Sequence, residues 1–267
     1  MNKMVGTWVY TQHDADHSLP YPGEGYTGWN KVTIPIDPAH TAIVVMHAWD
    51  VGGSIEEFPG IYRMCEEIPR GDKIIAERFP GFLEKVRASG FTLFHIGSHS
   101  EKSIEDLPGY QRTKAKFGVG PSIEQIPRDD TVSELWNIHR MNTIYGDNID
   151  DYRKALKKRD FAIMPRDDEE VVCTSHQLFE LCKERGITHL IYTGFCVNAC
   201  LEISPCGWVD MSRHGIMCSI VRDLTTAVEN KESCRAEAHK EYGLWSFALN
   251  AGFVFEQADI ENELLTK

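Results

Sequence analysis

The residue types that could do chemistry in this sequence centre on a cysteine, Cys200, in the stretch from His189 to Glu202. A short apolar run, 190–192, predicts a buried parallel strand, and Thr193-Gly194 ends it. From Asn198, a residue type suited to capping, the sequence favours a helix. Cys200 is therefore expected in the first helical turn beyond a strand, where N–H groups and the helix dipole favour a thiolate. This position suits a nucleophile, although free cysteines are also among the residues most often packed in a core.

A candidate base follows the first predicted strand, 41–46, in the segment His47-Ala-Trp-Asp50. Polar residues at the carboxyl end of a central strand line the ligand crevice of a doubly wound sheet. An imidazole of pKa about 6.5 can deprotonate a thiol of pKa about 8.5 near neutral pH. We therefore predict that His47 is the base, while Asp50 either orients the imidazole or is the base itself. The alternatives are a satisfied polar residue at His47 and a turn residue at Asp50.

Composition limits the classes of function. The chain has 267 residues, 42% of them hydrophobic and 25% charged, which is typical of one large globular domain. A net charge of −12 argues against non-specific binding to nucleic acid or to an acidic membrane. No apolar run reaches the ~20 residues of a membrane helix, and the start lacks a signal-peptide pattern. Eight irregularly spaced cysteines indicate reduced thiols, so we expect a cytoplasmic protein.

Strands and helices are predicted to alternate over much of the chain. The predicted strands are 41–46, 91–96, 161–164, 190–192, 215–221 and 252–255, and the predicted helices are 77–89, 175–185, 198–213 and 233–250. This alternation indicates an α/β fold: three layers, doubly wound, with an about six-stranded, mainly parallel sheet and helices on both faces.

The chain is expected to form a single domain over residues 1–267. Residues 1–40 are interpreted as an ordered N-terminal arm that lies over the domain or over a neighbouring subunit. Residues 100–159 are interpreted as a loop-rich insertion, with possible helices at 133–139 and 149–158. An insertion of this length is usually functional or an oligomer contact.

Several segments resemble one family. Gly194-Phe-Cys-Val-Asn-Ala-Cys200 resembles the Gly-Val-Ala-Thr-Asp-x-Cys segment of the isochorismatase-like cysteine hydrolases, which include nicotinamidases and N-carbamoylsarcosine amidohydrolases. Residues 41–47 are similar to that family's first strand, Ala-Leu-Leu-Val-Ile-Asp, and 221–227 to its Val-x-Asp-Ala-x-Ala stretch. The resemblance covers residues 160–255 and 41–47, and it is absent or poor in 1–40 and 100–159.

The resemblance implies acyl hydrolysis by a Cys nucleophile, an Asp base and a nearby Lys. Cys200 falls at the nucleophile position, and a non-proline cis peptide bond is implied near Phe195-Cys196, with the N–H groups of Cys196 and Cys200 facing the oxyanion. Where the family has its Asp this chain has His47, and the Lys position falls on Pro165 or Arg166. Arg166 could supply positive charge but could not exchange a proton, and a surface ion pair is the competing interpretation.

The resemblance also bears on ligands and partners. His95 and His99 correspond to metal-binding histidines of nicotinamidases, but the accompanying Asp-x-His reads Gly97-Ser-His99 here, so we predict no metal and no cofactor. We assign Trp49 and Asn198 to binding of a small-molecule substrate. Family members are commonly dimers or tetramers, which implies a homo-oligomer.

The sequence therefore predicts a cysteine hydrolase that acts on a small amide or related acyl substrate through a thioester, with Cys200, His47, Arg166 and Asp50 as catalytic residues. The alternative is a catalytically inactive relative that binds or senses a small molecule. A third possibility is a redox pair of Cys196 and Cys200, which requires Cα atoms within about 7 Å.

Overall fold

A mixed sheet of eight strands forms the centre of the protein in a computed structural model, which describes residues 2–48, 55–97, 101–151, 154 and 162–266. The strands are β1 (Lys3–Thr11), β2 (Gly28–Ile36), β3 (Thr41–Met46), β4 (Thr92–Ile96), β5 (Glu170–Val172), β6 (His189–Gly194), β7 (Met217–Thr225) and β8 (Val254–Phe255). Their order across the sheet is β2-β1-β8-β7-β6-β3-β4-β5.

The helices of the described residues connect these strands and cover them. They are α1 (Pro59–Met64), α2 (Ile68–Glu77), α3 (Phe79–Ser89), α4 (Pro108–Phe117), α5 (Asp130–Glu134), a π-helical segment (Leu135–Arg140), α6 (Met141–Tyr145), α7 (Ser175–Arg185), α8 (Cys200–Ile203), α9 (Trp208–Arg213), α10 (Ala238–Asn250) and α11 (Gln257–Asp259), which continues into a short π-helical turn (Ile260–Leu264). None of the helices in the described ranges is long and apolar enough to cross a membrane.

The six strands from β8 to β5 are all parallel, which confirms the predicted doubly wound α/β fold. β3 and β6 lie at its centre and are buried along their whole length, as expected of apolar strands covered on both faces. One face packs against α7, α9 and α10, and the other against α3 and the C-terminal turns. The structure thus has the three predicted layers.

The prediction that residues 1–40 form an arm over the domain is wrong for 3–11 and 28–36, which are strands of the sheet itself. β1 pairs antiparallel with β2 over nine register pairs, and Trp8 of β1 pairs with Val254 of β8. The sheet therefore has eight strands rather than six. Trp8 and Trp29 pack against the core, so this segment is ordered, as the sequence predicted.

Two further elements differ from prediction. Residues 162–164 form no strand; the strand beside β4 is β5, Glu170–Val172, and Phe161 lies outside the described residues. The predicted helix 198–213 is two short helices, α8 and α9, interrupted at Ser204-Pro205, because a proline cannot continue the hydrogen-bond ladder of α8.

The insertion at 101–151 contains more helix than predicted. α5, the π-helical segment and α6 follow one another without a break from Asp130 to Tyr145, and none of their residues is buried. Residues 149–151 and 154 are helical, and the rest of the predicted helix 149–158 lies outside the described residues.

Candidate active site

The loops after β3, β4 and β6 meet at the carboxyl edge of the sheet. Met46 pairs with Gly194 in register, and the N–H of Phe195 donates to the carbonyl of Met46 at 3.1 Å. Gly194 has φ +112°, and a Cβ there would lie 1.8 Å from the Met46 carbonyl oxygen. Only glycine fits this close approach, which brings the two loops together.

The loop after β6 carries two backbone donors that find no acceptor among the described residues. The Phe195–Cys196 peptide bond is cis, at the place where the resemblance implied one. The carbonyl of Cys196 accepts from the N–H groups of Ala199 and Leu201, each at 3.1 Å. By contrast, the N–H groups of Cys196 and Cys200 donate to no acceptor within the described part of the chain. A pair of N–H groups in one tight loop is the arrangement that an oxyanion requires.

Cys200 is partly exposed and is the first residue of α8. Ala199, not Asn198, occupies the N-cap position, and no side chain caps the helix. α8 has four residues, so it provides the N–H groups of a single turn and not the full macrodipole expected from the sequence. The thiol therefore needs a neighbouring side chain to take its proton.

Cys196 differs from Cys200 in its environment. Its Sγ lies in the core, 3.3 Å from Oγ1 of Thr226, and burial raises the pKa of the Cys196 thiol well above its usual value. A buried, protonated thiol is poorly suited to thiol–disulfide exchange. The structure thus gives no support to a redox pair of Cys196 and Cys200, and all eight cysteines are free.

His47 occupies the end of β3 with its ring buried and its backbone in the left-handed region, at φ +52°. Its Nε2 lies 3.1 Å from the carbonyl oxygen of Gly97. Because a carbonyl only accepts, Nε2 must carry a hydrogen, and in the neutral ring Nδ1 is then the atom that can take a proton. This tautomer is the one that a base acting through Nδ1 would need.

A cavity of about 270 Å³ opens beside His47. Its lining combines polar and apolar groups from the ends of the strands and the loops that follow: Gly97, Glu101, Val119, Cys173, Thr174 and Pro205. Cys173 and Thr174 follow β5 directly, at the same edge of the sheet. Their place in the site could not be recognised beforehand, because the strand that positions them was predicted nine residues too early.

Among the described residues, no contact brings Arg166 to this edge. Its Nη2 pairs with Glu84 of α3, at 2.8 Å from Oε1, and both side chains are more than half exposed. Its backbone N–H donates to Glu169, immediately before the amino end of β5. The competing interpretation, a surface ion pair, therefore describes Arg166, although its partner is Glu84 and not the acidic run beside it in the sequence.

Asn198 ties the Cys200 loop to the segment after β7. Its Nδ2 donates to the carbonyl of Val228 and its Oδ1 accepts from the N–H of Val228, both at 2.9 Å. Asn198 thus positions the loop and does not cap α8. Its assignment to substrate binding stays a prediction, as do those of Trp49 and Asp50, which lie outside the described residues.

Glu67, just before α2, was missed by sequence reasoning. It is only 6% exposed, and it lines a small cleft with Gly71, Phe195 and Thr226. Because Phe195 of the Cys200 loop lines the same cleft, the carboxylate lies beside this loop, and its charge adds to the burial that raises the pKa of Cys196. Nothing in the sequence distinguishes Glu67 from the neighbouring acid, because its burial depends on how α2 packs.

His95 serves a structural network. Its buried Nε2 lies 2.8 Å from Oε2 of Glu169. The two carboxylate oxygens of Glu169 also accept hydrogen bonds from the guanidinium of Arg87, at 2.6 and 3.1 Å. Burial lowers the pKa of His95; burial alone would raise that of Glu169, but hydrogen bonds from His95 and Arg87 hold it well below its usual range. Within the described ranges, which omit His99, no three potential ligands are grouped for a metal ion.

Comparison with known proteins gives matches among solved structures alone. No protein-family model and no curated protein matches the chain. A cysteine hydrolase from Pseudomonas syringae pv. phaseolicola has 14% identity and a TM-score of 0.48, with 85% of this chain and 93% of that chain covered. An isochorismatase family protein from Burkholderia thailandensis has 14% identity and a TM-score of 0.44, with 85% and 97% covered. An isochorismatase-like hydrolase from Alkaliphilus metalliredigens has 17% identity and a TM-score of 0.45, with 83% and 96% covered.

These structures carry the name of the family that the sequence resembles. At such identities and TM-scores the likeness assigns no activity to this chain. Its function has to be argued from the residues at the carboxyl edge of the sheet.

Proposed function

We propose that this protein is a hydrolase that cleaves a small amide or related acyl substrate, with Cys200 as the nucleophile and a thioester as the intermediate. The observation that supports the proposal is the pair of N–H groups on Cys196 and Cys200 that donate to no described residue, in the same loop as a partly exposed thiol. A packed, structural cysteine would require neither the exposure nor the donors.

The proposed reaction has two steps. The thiol of Cys200 loses its proton to the base and attacks the carbonyl carbon, and the oxyanion accepts from the N–H groups of Cys196 and Cys200. The C–N bond then breaks, the amine leaves with the proton from the base, and the acyl group remains on sulfur as a thioester. Water, deprotonated by the same base, cleaves the thioester to release the acid and restore the thiol. One oxyanion donor typically contributes about 2.7–4 kcal/mol to such a transition state.

His47 is our first choice for the base. It follows the strand next to β6, and its tautomer leaves Nδ1 as the proton acceptor. Asp50, three residues later, is the alternative. Because a base must be deprotonated to act, the rate should rise with pH through a pKa near 6.5 if an imidazole serves, and be flat above pH 5 if a carboxylate of ordinary pKa serves.

The first experiment tests the nucleophile. Iodoacetamide labelling at pH 6–7, read by mass spectrometry, should modify Cys200 before Cys234, which is also partly exposed but does not belong to the loop between β6 and α8. Cys200→Ala should abolish turnover across a panel of small primary amides and leave thermal stability nearly unchanged, whereas Cys234→Ala should change neither. Turnover that survives Cys200→Ala would refute the assignment.

The second experiment tests the base. His47→Asn should lower the rate by about 10²–10⁴-fold. If the variant keeps both the rate and the pH profile, the proton is taken by another group, and Asp50→Asn becomes the informative variant.

A binding protein without turnover is the second candidate, and two observations favour it. Arg166, the cation expected to assist the nucleophile, forms an ion pair with Glu84 of α3 instead. The cavity beside His47 is large enough for a small ligand. Under this alternative the wild type and Cys200→Ala would bind a small amide equally well, and neither would release acid from it.

A further inference from the structure

A second cavity lies at the edge of the sheet opposite the proposed active site. Its volume is about 340 Å³, which exceeds that of the cavity beside His47. Three residues of its lining begin parallel strands: Thr41 begins β3, His189 begins β6 and Met217 begins β7. The cavity therefore opens at the amino edge of the sheet, and its size lies in the usual range for small-molecule sites.

The walls of this cavity are mainly apolar. The apolar lining residues are Ile34, Pro35, Ile36, Met217 and Phe253. The turn after β2, which contributes part of the wall, is held by local hydrogen bonds. Oγ1 of Thr41 donates to the carbonyl of Asp37 at 2.8 Å, and Oδ1 of Asp37 accepts from the N–H of Ala39 at 3.0 Å. The wall is thus formed before any ligand arrives.

The charge of the lining is unfavourable for an anion. None of the described residues that line the cavity is Lys or Arg, and one of them is Asp37. The chain as a whole carries a net charge of −12. A negatively charged ligand would therefore meet repulsion here without a permanent counter-charge.

His189 places a polar ring among the apolar residues of the lining. The residue is only 8% exposed, and its Nε2 lies 2.7 Å from Oγ of Ser219. Ser219 is fully buried, and its Oγ accepts from the N–H of Phe253 at 3.2 Å. The hydroxyl hydrogen of Ser219 also needs an acceptor, and among the described residues Nε2 of His189 is the acceptor within reach. Nε2 therefore accepts from Ser219.

This hydrogen bond determines which ring nitrogen carries the hydrogen. Burial lowers the pKa of His189 to about 4, so the ring is neutral at pH 7. With Nε2 as the acceptor, the hydrogen of the neutral ring is on Nδ1. Nδ1 has no hydrogen-bond partner among the described residues, and it does not belong to the unpaired atoms that the protein encloses completely. Because His189 lines the cavity, its Nδ1–H is a donor that a ligand can reach.

We propose that this cavity is a second small-molecule site, which binds a neutral and mainly apolar compound that carries one hydrogen-bond acceptor, such as an aryl ketone. The acceptor takes the Nδ1–H of His189, and the apolar body lies against Met217 and Phe253. A buried donor in an apolar pocket selects this class, since a ligand without an acceptor would leave the N–H without any partner. The site is independent of Cys200 and goes beyond the proposed hydrolase function.

Fluorine NMR titration with 4-fluoroacetophenone tests the site, because this ketone has no bond that the proposed hydrolase could cleave. The wild type should bind it with a Kd of about 1 mM, as expected for a fragment of this size. Met217→Trp, which fills the cavity, should weaken binding by about 10-fold or more. Met164→Trp, at an exposed position outside the lining, should leave the Kd unchanged. Cys200→Ala should also keep the Kd, which separates this site from the proposed active site.

The class of ligand and the tautomer are tested without any substitution. 4-Fluorobenzoate has nearly the same shape as the ketone but a negative charge, and it should bind about 10-fold more weakly or worse. A long-range ¹H–¹⁵N spectrum of the histidine rings should show His189 with its hydrogen on Nδ1, and the Nδ1 resonance should move when the ketone is added.

Several results would overturn the proposal. They are an unchanged Kd in a Met217→Trp variant that unfolds at the wild-type temperature, equal binding of the benzoate, a His189 ring with its hydrogen on Nε2, and no saturable binding of the ketone up to about 10 mM. Ketone binding that appears only after the chain is diluted would also overturn it, because the cavity would then belong to a contact between copies of the protein.

Discussion

Replacing Glu169 by glutamine should destabilise the protein strongly. Among the charge-removing variants proposed below, it should have the largest effect. Glu169 is 9% exposed and holds two side chains at once: the guanidinium cation of Arg87, at 2.6 and 3.1 Å, and the ring of His95, at 2.8 Å. These contacts join α3, β4 and the entrance to β5. Glutamine keeps the shape but loses the charge, and it leaves the guanidinium of Arg87, 15% exposed, without its main counter-ion.

The expected loss is about 3–5 kcal/mol, the usual cost of removing one partner of a buried ion pair. At about 2–4 °C per kcal/mol for a domain of this size, this corresponds to a fall in Tm of roughly 6–20 °C. The matched control is Glu84→Gln. Glu84 pairs with the same Arg87 and with Arg166, but it is 63% exposed, so its removal should cost no more than about 1 kcal/mol.

The loss should depend on pH in a defined direction. The pKa of Glu169 is lower in the folded protein than in the unfolded chain, so the stabilisation is complete above the unfolded value of about 4.3 and declines as pH falls below it. The pKa of His95 is also lowered, by burial, so protonation of the unfolded chain costs further stability as pH falls below about 6.5. The difference between wild type and Glu169→Gln should therefore be largest near pH 7 and shrink below pH 4.

Urea unfolding at pH 7, 5 and 3, with a double-mutant cycle through Arg87→Met at pH 7, measures both effects. A loss below 1 kcal/mol at pH 7, or a coupling energy between Glu169 and Arg87 below about 0.5 kcal/mol, would show that the network does not stabilise the fold as argued.

Three further outcomes can be checked. Arg166→Gln should leave kcat and KM unchanged in any assay that Cys200→Ala abolishes, because Arg166 pairs with Glu84 on the surface; a fall in kcat above 10-fold would restore it to the mechanism. Gly194→Ala should cost about 3 kcal/mol or more and yield little folded protein, since the added Cβ would meet a carbonyl at 1.8 Å and φ is +112°; normal unfolding in urea would contradict this reading. Glu67→Gln should lower the pKa of Cys196 by removing a nearby negative charge, measurable as faster alkylation of Cys196 in urea-free buffer at pH 9; no change in that rate would place the carboxylate farther from the loop than we infer.

The sequence predicted those elements whose signals are local. The helix α7 begins and ends at the predicted residues because both caps are present: Thr174 accepts from the N–H of Gln177, and Gly186 adopts the left-handed conformation, φ +66°. The central strands β3 and β6 were equally recognisable, since an apolar run covered on both faces has few other interpretations.

The elements that were missed depend on tertiary contacts. The hairpin of β1 and β2 is joined by 16 residues, far longer than the two-residue turns that identify hairpins. The segment 161–164 is more apolar than β5, but the pairing with β4 is made by Glu170–Val172. The sequence likewise could not show that Arg166 forms its ion pair with Glu84 of α3.

The hairpin of β1 and β2 also determines which strand forms one edge of the sheet. Without it, the border strand would be β8, two residues long beside the nine-residue β7, and a row of unpaired backbone groups would be open to strands from other molecules. The outermost strand is β2 instead, where Pro35 offers no N–H and Lys31 is held by Glu256 and Asp259. At the opposite border β5 has three residues. Growth of the sheet by strand addition is thus obstructed on both sides, so aggregation through continuous β-structure should begin only after the first 36 residues detach.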